Sequence, residues 1–510
     1  MTDEPRDDVR PPLPWLPFAL AVGFGVLGTL WLLAVPAWAR IDVDEGGNLA
    51  KARLLSIGHD LYGDIWSDQP PMFTWLVAGW EALLGIDVTA DATAARVLVV
   101  LLASMIVFVA ADVARHCART DARRVAVACV VAVMLLVGSK LFVQLSGSVM
   151  IGLPAISFAV LSLWCLWRAG VTRTWLALLA GVLLGFGLLT KLNVFTVAPA
   201  VVWLCWTGRD RFALTGLFLA GLFGTIIAAI VVEPDLGRQL VTPHVATLTG
   251  DTNLVDATVT RAGAESRAEQ VVRNVTQLSN DLRRDLPLLL TAVAGAILIR
   301  RDLTADARRL VIASAGWLVL SLAILPFASP LWAHHITLVT VPLSLMAATV
   351  VGTLAGRWPW CPAAKATAVL AAIAVVGASV RIVGDAGEHG RVRSQQLPAD
   401  VLPAALDLRP EDGFGYAYAD DTMLAIAAGR LPLPEAAVPS MKRRRRGELS
   451  DAAIADMIEA NRPDILILGR FDYPQEDALT AGYRFVAGDR RRLYVRTDLV
   501  PSTASTRPSR

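Results

Sequence analysis

RIDVDEGGNLAKARLLSIGHD, residues Arg40 to Asp60, follows a wholly apolar run and packs three carboxylates, Asp42, Asp44 and Glu45, into four positions. What this charge means depends on whether the run before it, Pro14 to Trp38, crosses a membrane. The run is long enough, since about 20 apolar residues span the hydrocarbon core. The segment ahead of it, MTDEPRDDVRPP, alternates acids and bases, and no cleavage pattern follows, which argues against a signal peptide.

The rest of the chain agrees. Over 510 residues it is 55% hydrophobic and only 18% charged, with a mean hydropathy of +0.53, the profile of a polytopic membrane protein. A net charge of +2, from 47 basic and 45 acidic residues, gives no reason to expect a nucleic-acid partner. Further apolar runs lie at Ala95–Ala114, Val125–Leu145, Val149–Trp167, Thr174–Thr190, Val194–Trp206, Phe212–Val232, Leu286–Ile299, Leu310–Phe327, Ile336–Leu354 and Ala366–Val383. With the first run these predict about eleven spans.

The placement of charge orients them. RHCARTDARR, RAGVTR, GRDR, RRDLTADARR and GRWPWCPAAK fall on one side if the N-terminus is cytoplasmic, and the short turns on the other side hold almost no cation beyond Lys191. An odd number of spans then exports the C-terminal tail and two long loops, 41–94 and 233–285. The expected division is a transmembrane domain, 1–384, and an extracytoplasmic soluble domain, 385–510. In that tail, GFGYAYA and DILILG read as strands, LSDAAIADMIEANRP as a helix capped by Ser450, and YRFVAGDRRRLYVR as a terminal hairpin. The rhythm favours an α/β domain with a parallel sheet. No GxGxxG or P-loop supports nucleotide binding. Cys117, Cys129, Cys165, Cys205 and Cys361 fall in spans or on the inner side without ligand spacing, so they read as packing residues.

In the first outer loop, Asp44 reads as the N-cap of a helix that Gly58 ends, lying along the interface. LYGDIWSDQPPMFTWLVAGWEALLG is broken by Pro70 and Pro71, and its Trp66, Trp75 and Trp80 suit the headgroup level. Lys140 lies 16 residues beyond Arg124, about 24 Å up a straight helix. Lys191 ends its span at the same side, and His334 and His335 start another there. Asp44 reads equally well as a cap and as a catalytic group, the two lysines as snorkelling anchors or anion contacts, and the His pair as interfacial residues or ligands. KRRRR, Lys442 to Arg446, is a solvated loop or an attraction for anionic headgroups.

Taken in order, DVDEGGNLAKARLLSIGHDLYGD, PPMFTWLVAGWEALLG, AARVL, GFGLLTK before Lys191 and HHITLVTVPLSLM resemble the GT-C glycosyltransferases. The likeness is to the family 39 type, which includes protein O-mannosyltransferases and the lipid A aminoarabinose transferase. It implies an inverting transferase that moves a sugar from a polyprenyl-phosphate carrier to an extracytoplasmic protein, lipid or glycan acceptor; the Ala-, Val- and Arg-rich composition separately suggests a bacterial plasma membrane. Asp44 matches the family's loop aspartate, which acts as base toward the acceptor or orients it, and Glu45 its companion, supporting the site or a divalent metal ion together with His335. Arg53, Lys140, Lys191, His334 and His335 are the candidates for binding the lipid phosphate or sugar. The chain departs from the family in having GGN where an aromatic residue commonly follows the Asp-Glu pair, and Gln69 where relatives carry Lys before the prolines. Two other readings stand beside this one: a secondary transporter, and a non-catalytic scaffold that binds polyprenyl lipid in envelope assembly.

Overall fold

In a computed structural model of the chain, the described residues are 43–118, 122–237, 267–328, 331–356, scattered positions between 365 and 380, and 415–499 apart from 446, 489 and 490. The expected first span, Pro14–Trp38, and the start of the C-terminal domain, 385–414, lie outside them.

Two helices precede the bundle proper, α1 (Val43–Ser56) and α2 (Met72–Leu83). The bundle follows as α3 (Thr93–Ala118), α4 (Ala122–Val137), α5 (Lys140–Ser146), α6 (Gly152–Thr172), α7 (Trp175–Thr190), α8 (Ala198–Trp206), α9 (Arg211–Val232), α10 (Arg267–Arg284), α11 (Leu286–Leu298), α12 (Ala305–Ile324) and α13 (Thr337–Ala355). Among the described residues five helices are long and apolar enough to cross a membrane, with α4 and α5 a sixth if that bent pair is one span. The apolar helices Trp175–Thr190, Leu192–Trp206, Leu286–Leu298 and Lys365–Ala374 are shorter.

Helix α13 is buried along nearly its whole length and packs against α3, α4, α11 and α12. Contact between membrane helices depends on close backbone approach, because lipid is as apolar as leucine. On α7, a Cβ at Gly181 would stand 2.0 Å from the Phe218 carbonyl of α9, so only glycine fits there.

The chain differs from its sequence-based reading at one span. Val125–Leu145 is not a straight helix: α4 and α5 meet at 82° across Gly138 and Ser139. Ser139 Oγ donates to Asp285 Oδ2 at 2.8 Å, which holds the bend, and Lys140 heads a short separate helix rather than the top of a long one.

The C-terminal part has β1 (Tyr416–Ala419), α14 (Thr422–Ala427), β2 (Leu431–Pro432), α15 (Met441–Arg445), α16 (Asp451–Asn461), β3 (Ile465–Leu468), α17 (Glu476–Leu479), β4 (Tyr483–Ala487) and β5 (Arg492–Arg496). The sheet is mixed, in the order β2-β1-β3-β5-β4: β1 pairs in parallel with β2 and β3, and β5 pairs antiparallel with β3 and β4. The expected strands, the helix and its Ser450 cap, accepting from Ala453 N at 3.2 Å, are all present. The expected parallel pairing is found at β2, β1 and β3, and the expected terminal hairpin makes the sheet mixed by returning β5 antiparallel beside β3.

The interfacial placement of α1 is corrected as well. Residues Glu45 to Leu54 are buried, and Leu49, Ala50, Ala52 and Leu54 share one core with Leu98 and Val99 of α3 and with Met423, Ile426, Leu431 and Ala437 of the C-terminal sheet region. Helix α1 is thus sandwiched between the bundle and the C-terminal sheet region.

Candidate active site

Helix α1 places successive acids in opposite environments, because neighbouring residues on a helix point about 100° apart. Asp44 is exposed and Glu45 fully buried. Both Glu45 oxygens are taken by Arg96, from Nε and Nη2 at 2.8 Å each, and Oε1 also accepts from Val149 N at 2.9 Å. One turn on, Asn48 Nδ2 donates to Val149 O at 2.9 Å. Glu45 and Asn48 together thus hold both polar groups of one peptide residue ahead of α6. The glycines between them have their own reason: a Cβ at Gly46 would stand 2.3 Å from Met423 N of α14. The sequence DEGGN is therefore a docking surface on three sides, with Asp44 left at the edge.

Glu45, expected as support for the site or a metal, and Arg53, expected at the lipid phosphate or sugar, both bond within the protein. Arg53 is fully buried, with Nη2 to Glu81 Oε1 at 3.0 Å and Nε to Glu81 Oε2 at 3.2 Å, and further bonds to Ala90 O and Asp91 O. It ties α1 to α2. Among the described residues no group of three or more His, Cys, Asp or Glu side chains could hold a metal ion.

Lys191 and His334 are brought together. Lys191 sits in the extended residue after α7, and its Nζ donates to His334 Nε2 at 2.7 Å, which leaves the neutral imidazole's proton on Nδ1. His335 packs edge-on against His334, centroids 4.5 Å apart, and its Nδ1 accepts from Trp332 N at 3.4 Å. Lys140 stands apart, beside Asp281 of α10, although α5 packs against the turn that carries the histidines.

Two residues were missed. Lys51 lies two turns beyond Asp44 on α1, so a helical projection puts the pair on one face. It is 3% exposed, and its Nζ reaches Ser67 Oγ at 3.4 Å, a long bond to a neutral group. Burial pulls its pKa down to about 8 against the opposing fields of Asp68 and Asp44. Asp68 is the second missed residue, and its field and that of Asp44 reach Lys191 too. The two carboxylates and two ammonium groups therefore form one electrostatic group. Close by, burial and the charges of Glu233 and Asp68 push the Tyr62 phenol far up, and its hydroxyl donates to Gln69 O at 2.8 Å. Trp75 Nε1 donates to Glu233 Oε1 at 3.3 Å at the end of α9.

Of the basic run, Arg443 is buried and Arg444 half-buried. Arg443 Nη1 donates to Val438 O and, at 2.6 Å, to Glu435 O, and the guanidinium lies 4.8 Å from the centroid of the Trp66 ring. Arg444 bonds Leu449 O, Asp451 and Asp472 O.

An apolar helical bundle, a buried loop with an acidic edge and a mixed C-terminal sheet together define the fold, and that fold is shared with solved membrane-protein structures. Residues 68–233 match the family described as "Dolichyl-phosphate-mannose-protein mannosyltransferase". Among solved structures, ArnT from Cupriavidus metallidurans bound to undecaprenyl phosphate is similar with a TM-score of 0.63 and 13% identity, covering 96% of this chain and 100% of its own. Its apo state gives 0.57 and 14% identity, covering 95% and 100%. The oligosaccharyltransferase AglB from Archaeoglobus fulgidus, with an inhibitory peptide and a dolichol-phosphate, gives 0.46 and 11% identity over 96% of this chain and 76% of its own. By sequence, no curated protein matches.

Proposed function

We propose that the protein is an inverting membrane glycosyltransferase that moves a sugar from a polyprenyl-phosphate donor to an extracytoplasmic acceptor. The observation that carries this reading is the exposed Asp44 carboxylate whose field reaches two ammonium groups, Lys51 and Lys191. Asp44 takes the proton of the acceptor hydroxyl as its oxygen attacks the anomeric carbon. The bond from that carbon to the phosphate oxygen breaks, and its electron pair leaves with the lipid phosphate. Lys51 and Lys191 meet the charge that develops there, and the His334 bond orients Lys191. A single displacement of this kind inverts the sugar.

Lys51 answers the departure at Gln69. Relatives carry a lysine before the proline pair, and here an ammonium from α1 reaches Ser67, two residues before Gln69. The likeness to ArnT, a protein solved with undecaprenyl phosphate, supports a lipid-phosphate donor. By the same reading the protein lies in a bacterial plasma membrane with its N-terminus in the cytoplasm and its C-terminal sheet outside. Glu45 acts by holding α1, and Lys140 belongs to a neighbouring polar centre with Asp281.

The test is sugar transfer by purified protein in lipid, from a panel of radiolabelled polyprenyl-phosphate sugars to a membrane acceptor extract. Asp44→Asn is expected to lose about 10²–10⁴-fold in rate with unchanged thermal unfolding. Equal transfer by both proteins would remove Asp44 from the chemistry. No transfer by the wild type with any donor would sink the transferase reading.

A further inference from the structure

The transfer mechanism gives KRRRR no task, yet it contacts the site loop. Arg443 is 6% exposed and anchored within the C-terminal domain by Glu435 O, Val438 O and Glu448, whose Oε2 accepts from Nε at 3.3 Å. Those bonds fix the guanidinium plane before it meets anything else. Its face then covers Trp66, a half-buried ring in the loop between α1 and α2, at 4.8 Å from the centroid. Arg-on-tryptophan stacking is the strongest form of this contact.

Trp66 precedes the two residues that shape the ammonium site. Ser67 Oγ accepts from Lys51 Nζ and from Gln69 N at 3.2 Å and donates to Gln69 O at 3.1 Å, making a tight turn. Asp68, in that turn, supplies a field felt at Lys51 and Lys191. The turn is thus gripped from below by α1 and from above by the C-terminal domain. A second contact at the same seam, His59 Nε2 to Tyr416 OH at 3.1 Å, joins the start of the loop to β1.

We propose that Arg443 is a positioning residue of the site: stacked on Trp66, it sets the Ser67–Asp68 turn against Lys51 and keeps water from that ammonium. The proposal rests on the transferase reading for its consequence in catalysis, but its geometry is testable without it. The charged groups facing Lys51 are Asp44 from its own helix and Asp68 from the turn. Of the acids on the elements packed against α1, Glu81 of α2 is taken by Arg53, and Asp421, ahead of α14, faces Arg491 at 3.5 Å.

The experiment uses the full chain in lipid nanodiscs with two variants, Arg443→Met and Trp66→Leu. The second removes the stacked face and leaves every hydrogen bond of Arg443 in place. Amide hydrogen exchange is read on peptides covering residues 61–71, and Lys51 is titrated by the pH dependence of its labelling with an amine-reactive reagent. Both variants are expected to speed exchange at Trp66–Gln69 roughly five-fold and to move the Lys51 midpoint up from about 8 toward the ordinary 10.5 as water enters. Turnover number is expected to fall more than donor KM rises. Unchanged exchange and an unchanged Lys51 midpoint in Trp66→Leu would overturn the proposal. So would faster exchange confined to the C-terminal sheet in both variants. Exchange and labelling decide the matter whether or not any donor is turned over, so failure here is separate from failure of the transferase reading.

Discussion

The two ends of α3 hold polar clusters of opposite design. Near its C-terminus Asp112, 4% exposed, has both oxygens filled: Arg115 Nε and Nη2 donate to Oδ1 at 2.9 and 2.7 Å, and Trp164 Nε1 and Arg168 Nη2 to Oδ2 at 3.0 and 2.6 Å. Arg168 also lies 5.2 Å from the centroid of the Trp167 ring. Sixteen residues toward the N-terminus, about 24 Å along the helix axis, Arg96 meets Glu45, and just beyond lies the site. There the short bonds go to neutral groups: Lys51 to a hydroxyl and Lys191 to an imidazole, while Asp44 and Asp68 act on them through their fields. Cations matched with carboxylates fasten helices. Cations held by neutral partners in a buried place keep attraction in reserve for an anion that arrives, which is what a leaving phosphate requires.

The sharpest way to break this contrast is to exchange its predictions. Glu45→Gln and Asp112→Asn each neutralise a buried carboxylate that binds half-buried arginines, and each is expected to lose about 2–3 kcal/mol of stability, read by thermal or denaturant unfolding in detergent. Whatever folded Asp112→Asn protein remains should transfer sugar at the wild-type rate per molecule. A stable Glu45→Gln protein without activity would instead make Glu45 the base and Asp44 its support. Next in size is Gly46→Ala, whose new methyl group would press on the Met423 backbone. A cost of about 1–3 kcal/mol is expected for such overpacking, together with easier proteolytic release of the C-terminal sheet. Unaltered protease resistance would mean that α1 and α14 do not close on each other as described.

What was legible in the sequence follows the same division. A membrane forces every backbone group into internal hydrogen bonds, so apolar runs announce helices, and the expected runs within the described residues are largely helical, although only five helices, or six with the bent pair, are long and apolar enough to cross. The bend at Gly138–Ser139 was not legible, because LLVGSKLFV stays apolar through the break and hydropathy carries no angle. The burial of α1 was hidden for a different reason. Its polar residues are satisfied by Glu81, Arg96 and Val149, up to about a hundred positions away in sequence, and local periodicity cannot report a distant partner. At the site, Asp44, Lys191 and the histidines were readable as groups on one rim. Lys51 was not, since a lysine amid alanines and leucines on a short helix looks like a snorkelling surface residue. Its spacing from Asp44 was the available signal.

Lys51 also provides the finest test, because one group predicts two opposite pH slopes. Lys51→Met is expected to lower transfer about 10–100-fold, as one of two charges facing the developing phosphate is lost. In the folded protein Lys51 gives up its proton near pH 8, and in the unfolded chain near 10.5. Below pH 8 both states carry the charge, and the folded state bears the full desolvation cost. Between about 8 and 10.5 the unfolded chain binds more protons than the folded one, so the stability of the wild type rises through that window. Activity should run the other way, falling as pH climbs through 8 and the ammonium is lost. Relative to Lys51→Met, then, the wild type is expected to be less stable at pH 7, to draw level by pH 10.5, and to lose its rate advantage over the same range. Unfolding midpoints and initial rates measured side by side from pH 6.5 to 10.5 would show it. If stability and rate instead stayed level from pH 6.5 to 10.5, a paired carboxylate would be holding the Lys51 pKa at or above its ordinary 10.5, and Lys51 would belong with the Asp112 end of the comparison.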